Sequence, residues 1–114
     1  MPVIDQIMVI GEHEKFASAL ISPNFKYFEE WKLSGKIASS EKENLVQLPV
    51  VLSFFSSEIE RLNKKLSPWE RVNRFKLVSD EWTSVTGELS PTLKLKRQFI
   101  HDKYKDLIAQ IYMK

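Results

Sequence analysis

Apolar residues in this chain follow two periods, one strand-like at the start and one helical through the middle and the end. Val3, Ile7 and Val9 share one parity and Ile4, Met8 and Ile10 the other, which predicts a strand apolar on both faces and buried within a sheet. It ends at Gly11. After the polar turn Glu12-His13-Glu14-Lys15, the run Phe16-Ala17-Ser18-Ala19-Leu20-Ile21 predicts a second strand, paired with the first as an antiparallel hairpin and stopped by Pro23. Asn24 is the predicted N-cap of a short helix carrying Phe25, Phe28, Trp31 and Leu33 at helical intervals, with Gly35 as its end.

Ser39-Ser40-Glu41-Lys42-Glu43-Asn44 reads as a polar connector into another short helix, and Pro49 suits the first turn of the next. There Val51, Leu52, Phe55, Ile59, Leu62 and Leu66 recur in steps of three and four. They predict a helix with one apolar face against the sheet and Glu58, Glu60, Arg61, Lys64 and Lys65 toward water. Ser67-Pro68-Trp69 breaks it. Arg74-Phe75-Lys76-Leu77-Val78 predicts a third strand and Trp82-Thr83 a short fourth. A final helix is predicted from Lys96 to Tyr112, with Phe99, Tyr104, Leu107, Ile108 and Ile111 inward. The sum is one α+β domain: a three-stranded core sheet flanked by helices, plus a short hairpin near Lys94.

Composition narrows the class. At 114 residues the chain has the length of a single domain, and its hydrophobic and charged fractions, 43% and 28%, are those of ordinary globular proteins. No apolar run approaches the roughly 20 residues that a spanning helix needs. With no cysteine there is neither a disulfide nor a thiolate metal ligand, and no basic-then-apolar leader precedes Val3, so a cytoplasmic setting is expected. The net charge of +2 hides an asymmetry: residues 1–60 carry 5 Lys/Arg against 9 Asp/Glu, and residues 61–114 carry 12 against 6. The basic half suits phosphates, whether of a nucleotide, of coenzyme A or of nucleic acid.

Chemistry concentrates in Gly87-Glu88-Leu89-Ser90-Pro91-Thr92-Leu93-Lys94-Leu95-Lys96-Arg97. Gly87 and Ser90-Pro91 punctuate the backbone. Leu89, Leu93 and Leu95 sit at even spacing, so an extended segment would put Lys94 on the face opposite the leucines. Residues alone stop at an exposed basic loop before a helix, for charge clusters are usually solvated.

The order of that run, with the helix Gln98-Phe99-Ile100-His101-Asp102-Lys103-Tyr104 after it, resembles the C-terminal end of long-chain fatty-acid–CoA ligases, the AMP-forming acyl-CoA synthetases. Ile4-Asp5-Gln6-Ile7-Met8-Val9-Ile10-Gly11 followed by Ala19-Leu20-Ile21-Ser22-Pro23-Asn24-Phe25 is similar to the strand pair of that family's small domain. Glu60-Arg61-Leu62-Asn63-Lys64-Lys65-Leu66-Ser67 resembles its long middle helix. The three segments come in the family's order and cover nearly the whole chain.

The resemblance implies that residues 1–114 are a C-terminal lid domain, excised or truncated from its N-terminal ATP- and fatty-acid-binding domain. Lys94 would then be the catalytic lysine of adenylate formation, swung away for thioester formation. It implies ATP, coenzyme A and a long-chain fatty acid as substrates of the complete enzyme, with Mg2+ held by the N-terminal domain and no cofactor bound by this chain alone. The isolated chain is expected to be inactive, since only 3 glycines are present and none forms a phosphate-cradling loop. The resemblance also admits peripheral membrane association of the complete enzyme. Lys96 and Arg97 are candidates for phosphate contacts beside their plainer reading as solvated first-turn residues.

Two departures stand out. Gly11-Glu12-His13-Glu14-Lys15 replaces a family turn like Gly-Asp-Asn-Arg-Lys, with an acidic residue at the arginine position, and Thr86 stands where an asparagine often precedes Gly-Glu. His13 and His101 lack ligand spacing and predict no metal site. Trp31, Trp69 and Trp82 read as core or interface residues rather than base-stacking platforms. The alternatives from other classes are a basic nucleic-acid-binding α+β domain, which the Lys94 run leaves unexplained, and a free-standing protein-interaction domain.

Overall fold

The strand pair opening the chain forms as predicted: β1 (Ile4–Ile10) and β2 (Ala17–Pro23) are antiparallel, with Ile7 opposite Ile21, Met8 opposite Leu20 and Val9 opposite Ala19. The computed structural model describes residues 3–11, 14–38 and 41–113. Glu12 and His13 of the turn, and Ser39 and Ser40 of the connector, lie outside the described residues. β3 (Val72–Leu77) adds to the other side of β2 in parallel, giving the order β1-β2-β3. The doubly apolar β1 is therefore an edge strand and not an interior one, and β2 takes the centre with nearly every residue buried. A register shift between Ile4 and Gln6 turns Ile4 to the same side as Ile7, so the two apolar parities of the sequence partly collapse onto one face.

A parallel β2–β3 pair requires a crossover, which three helices supply: α1 (Phe25–Leu33), α2 (Lys42–Leu45) and α3 (Pro49–Asn63). Gly35, at φ +83°, closes α1. Its N–H reaches the Lys32 carbonyl at 3.1 Å and the next N–H, of Lys36, reaches the Trp31 carbonyl at 2.9 Å, a Schellman arrangement. Leu33, placed inward by the sequence, is exposed past the packed face. In α3 Pro49 occupies the first turn, and Val51, Phe55 and Ile59 are buried while Leu52 is exposed and Leu66 falls beyond the helix. At the last residue of the helix, the Asn63 side chain pairs like a strand with the backbone of Val72. Its Nδ2 donates to the Val72 carbonyl at 2.8 Å and its Oδ1 accepts the Val72 N–H at 2.9 Å. A single 3-10 turn, Pro68–Glu70, lies between.

The far side of the sheet is covered by α4 (Arg97–Lys103) and α5 (Lys105–Tyr112). The sequence predicted one helix here. It breaks at Tyr104, φ −109° and ψ 22°, where the hydroxyl donates to Asp80 at 2.7 Å and accepts Trp82 Nε1–H at 3.0 Å. Ile100 is the buried residue of α4, and Phe99 is 39% exposed. The predicted fourth strand at Trp82-Thr83 is absent: Thr83 spends its N–H and hydroxyl on Thr86, a local turn that competes with strand pairing.

The domain is thus α+β in three layers, with one apolar cluster on each face of the sheet. The first is aromatic, with Phe28 and Phe55 wholly buried and Trp31, Tyr27 and Phe54 around them. Burying such a side chain stabilises the fold by about 1.5–3 kcal/mol. The second, built on Met8, Leu20, Trp82, Leu89, Ile100 and Ile108, is threaded with polar groups.

Candidate functional site

The loop carrying Lys94 rises from the second cluster between Trp82 and α4. Its entry is a turn in which the Gly87 and Leu89 N–H groups both reach the Thr83 carbonyl at 3.2 Å. Gly87 has φ +102°, which favours glycine, and a Cβ there would stand 2.7 Å from Phe99 Cζ, so the half-exposed ring would have to swing aside.

Glu88 follows, with no exposed surface. One carboxylate oxygen accepts from the Thr86 hydroxyl and, at 3.4 Å, from the Thr83 N–H; the other accepts from Lys103 Nζ at 2.5 Å. Burial alone would raise the Glu88 pKa. The bonds from Lys103, Thr86 and Thr83, with the Lys103 charge, outweigh it and hold the carboxyl below the usual glutamate range. Tyr104 goes the other way: burial and the Asp80 carboxylate that its hydroxyl serves push it well up.

The predicted hairpin shrinks to one antiparallel bridge, Leu89 opposite Leu95. Flanking it, the Lys96 N–H donates to the Glu88 carbonyl and the Ser90 N–H to the Lys94 carbonyl, both at 2.8 Å. Leu89 is buried and Leu95 half-buried, but Leu93 leaves their face. It takes φ +65°, a left-handed backbone rare for leucine, and shows 66% of its surface. The Ser90 hydroxyl accepts the Lys94 N–H at 3.1 Å and bonds Thr92 Oγ1 at 3.1 Å.

The three candidate residues are brought to one end of the loop with different surroundings. Lys94 is exposed, and its ammonium has no hydrogen bond or ion pair among the described residues. Lys96 lies over the Phe99 ring, 5.6 Å from its centroid. Arg97 Nη2 donates to the Val9 carbonyl at 2.6 Å, tying α4 to the outer strand β1. That bond fixes one side of the Arg97 guanidinium in the fold. Among the described residues, Lys94 is therefore the cation of the run without a partner.

Several residues around the site were not legible in the sequence. Lys103, Asp80 and Tyr104 stand 15, 8 and 16 positions from Glu88, at no spacing that marks a pair. The only local hint was the Gly-Glu step itself. His101 is exposed on α4, and His13 lies outside the described residues. Among the described residues, no three His, Cys, Asp or Glu side chains come together as a metal site. Of the tryptophans, Trp82 is buried and Trp31 is packed as predicted, whereas Trp69 is 81% exposed.

No family profile matches the chain. Individual proteins do. It is 32% identical, over 99% of its length, to the long-chain-fatty-acid–CoA ligase FadD15 of Mycobacterium tuberculosis, of which it spans 19%. It is 25% identical to the long-chain-fatty-acid–CoA ligase heimdall of Drosophila melanogaster, over 98% of this chain and 22% of that protein. With long chain acyl-CoA synthetase 8 of Arabidopsis thaliana the identity is 28%, over 96% and 16% respectively. The chain thus spans about a fifth of the length of the curated relatives it matches. Among solved structures it is similar to the adenylation domain of a carboxylate reductase from Mycobacterium chelonae, with a TM-score of 0.69 and 20% identity over 97% of this chain and 16% of that one. The A domain of a carboxylic acid reductase from Segniliparus rugosus, in complex with AMP and a co-purified carboxylic acid, gives a TM-score of 0.69 at 18% identity, with the same coverage. These two likenesses establish the fold, and the homologues across 99% of the chain are long-chain-fatty-acid–CoA ligases.

Proposed function

We propose that this chain acts as the mobile lid domain of an AMP-forming long-chain fatty-acid–CoA ligase, with Lys94 as its adenylation lysine. The observation that carries the reading is the unengaged Lys94 ammonium at the end of a braced loop, within a chain homologous to such ligases over 99% of its length. Adenylate formation brings a fatty-acid carboxylate against the α-phosphate of ATP, two anions. A protonated lysine between them offsets their repulsion and stabilises the charge that builds in the transition state, without changing its own protonation. The compact charge on a flexible stem suits a group that reaches into a site formed elsewhere. Pyrophosphate then leaves, and the coenzyme A thiol displaces AMP with Lys94 withdrawn.

The nucleotide, the fatty acid and Mg2+ are assigned to a separate body domain, within the roughly four-fifths of the relatives' length that this chain does not span. We assign no metal-dependent step to this chain and expect it to be inactive alone. Lys96 and Arg97 are assigned to anionic substrate groups beside the loop, Arg97 through the N–H groups that Val9 does not use. A cytoplasmic setting, with peripheral membrane contact of the complete enzyme, goes with a long-chain substrate.

The test is Lys94→Ala in a full-length ligase carrying this chain. ATP–pyrophosphate exchange should fall about 10²–10³-fold, the loss typical of one transition-state contact, while thioester formation from added acyl-adenylate is largely spared. Equal loss in both half-reactions would overturn the assignment.

A further inference from the structure

Glu88 is a fully buried carboxylate beside the second apolar cluster. A buried charge persists where it is paired and hydrogen-bonded, and here the partners all belong to the Lys94 loop or its supports. The Thr83–Thr86 turn before the loop reaches one carboxylate oxygen, and Lys103, in the last turn of the helix after the loop, reaches the other. The Glu88 carbonyl takes the Lys96 N–H from the far side of the loop at 2.8 Å. One residue joins the entry turn, the exit helix and the returning strand. Lys103 is itself held in direction, 3.9 Å from Asp80 and 5.4 Å from the Tyr104 ring centroid.

Little freedom is left between Glu88 and Lys96. Ser90 bonds Lys94 on both sides, its N–H donating to the carbonyl and its hydroxyl accepting the N–H, and Leu93 is kept in a left-handed conformation that leucine would leave if the loop were slack. Fold stability by itself does not call for an ion pair at this place, since well-packed apolar residues of similar volume often serve as well or better. What the charged, hydrogen-bonded pair adds is direction.

We propose that Glu88 and Lys103 are positioning residues for Lys94, acting through the backbone of the loop that they clamp. The proposal rests on the reading of Lys94 as the adenylation lysine, and its test separates the two. The variant is the apolar exchange Glu88→Leu with Lys103→Met, which leaves no uncompensated buried charge, Asp80 being half exposed and still bonded by Tyr104. Amide hydrogen exchange in the full chain should rise at least tenfold at Ser90 and Lys96, with Leu20 and Ile21 in β2 unchanged. In a full-length ligase carrying this chain, the exchange should slow adenylate formation at least tenfold, spare thioester formation, and add nothing further on top of Lys94→Ala.

Unchanged protection at Ser90 and Lys96 would overturn the clamp, as would losses that simply multiply with those of Lys94→Ala. If Lys94→Ala itself shows no half-reaction preference, the reading of Lys94 fails, while the exchange data still decide whether the pair holds the loop. Should the apolar pair not fold, Glu88→Gln reads the same two amides with the side-chain volume kept.

Discussion

The two faces of the sheet are built differently. On one, Phe28 lies edge-on to Trp31 at 4.9 Å and near Phe55 at 5.8 Å, in a cluster whose buried members are all apolar. On the other, Ile100, Leu89 and Ile108 are interleaved with the Glu88–Lys103 pair and the Asp80–Tyr104–Trp82 chain. There too the Tyr112 hydroxyl bonds Ser18 at 2.8 Å and the Phe16 carbonyl at 2.9 Å. Apolar contact stabilises without fixing direction, whereas hydrogen bonds fix direction at a cost in desolvation. The first face holds the domain together, and the second aims a loop.

That contrast can be broken by experiment. Phe28→Ala should cost the most, about 3–5 kcal/mol in urea unfolding, because it empties the centre of the aromatic face. A loss under about 1 kcal/mol would show that the first face does not dominate stability. A smaller effect, confined to the polar face, is expected in acid. Because the folded Glu88 carboxyl is held below its usual range, its contribution is complete above that range and is lost as pH falls through the lowered folded value. Acidification below about pH 4 should therefore destabilise the native chain more than Glu88→Gln; parallel pH–stability curves would remove the buried carboxylate from the account. Leu93→Asn should have the smallest effect and the opposite sign. Asparagine tolerates φ +65° better than leucine does, so a gain of about 0.5 kcal/mol in thermal unfolding is expected. A destabilised variant would mean that the exposed leucine makes contacts that outweigh its strain.

Reading the sequence worked wherever the governing interactions were local. Gly35 does close its helix, Gly87 does turn the backbone, Pro49 does start its helix, and Val51, Phe55 and Ile59 do form the buried stripe. It failed where a distant group decided the outcome. Apolar residues of both parities in β1 read as an interior strand, but β3 chose the other side of β2. The helix over Lys96–Tyr112 had an unbroken pattern, yet it breaks at Tyr104, whose hydroxyl is bonded to Asp80 and Trp82. Leu93 looked like part of an alternating strand, and the bridge between Leu89 and Leu95 left it at the turn instead.

The sequence by itself determined the α+β class, the antiparallel opening pair, the end of the first helix at Gly35, the start of the long middle helix at Pro49 and the exposure of Lys94, because backbone preference and apolar period act over a few residues. Only the tertiary structure decided which strand is central, where Arg97 is anchored and which groups pair beneath the loop. Those outcomes depend on contacts such as Glu88–Lys103 and Arg97–Val9, whose partners lie 15 and 88 residues apart and come together only when the layers close. No local pattern records a bond of that span, since its energy arises from burial and geometry that exist only in the folded chain.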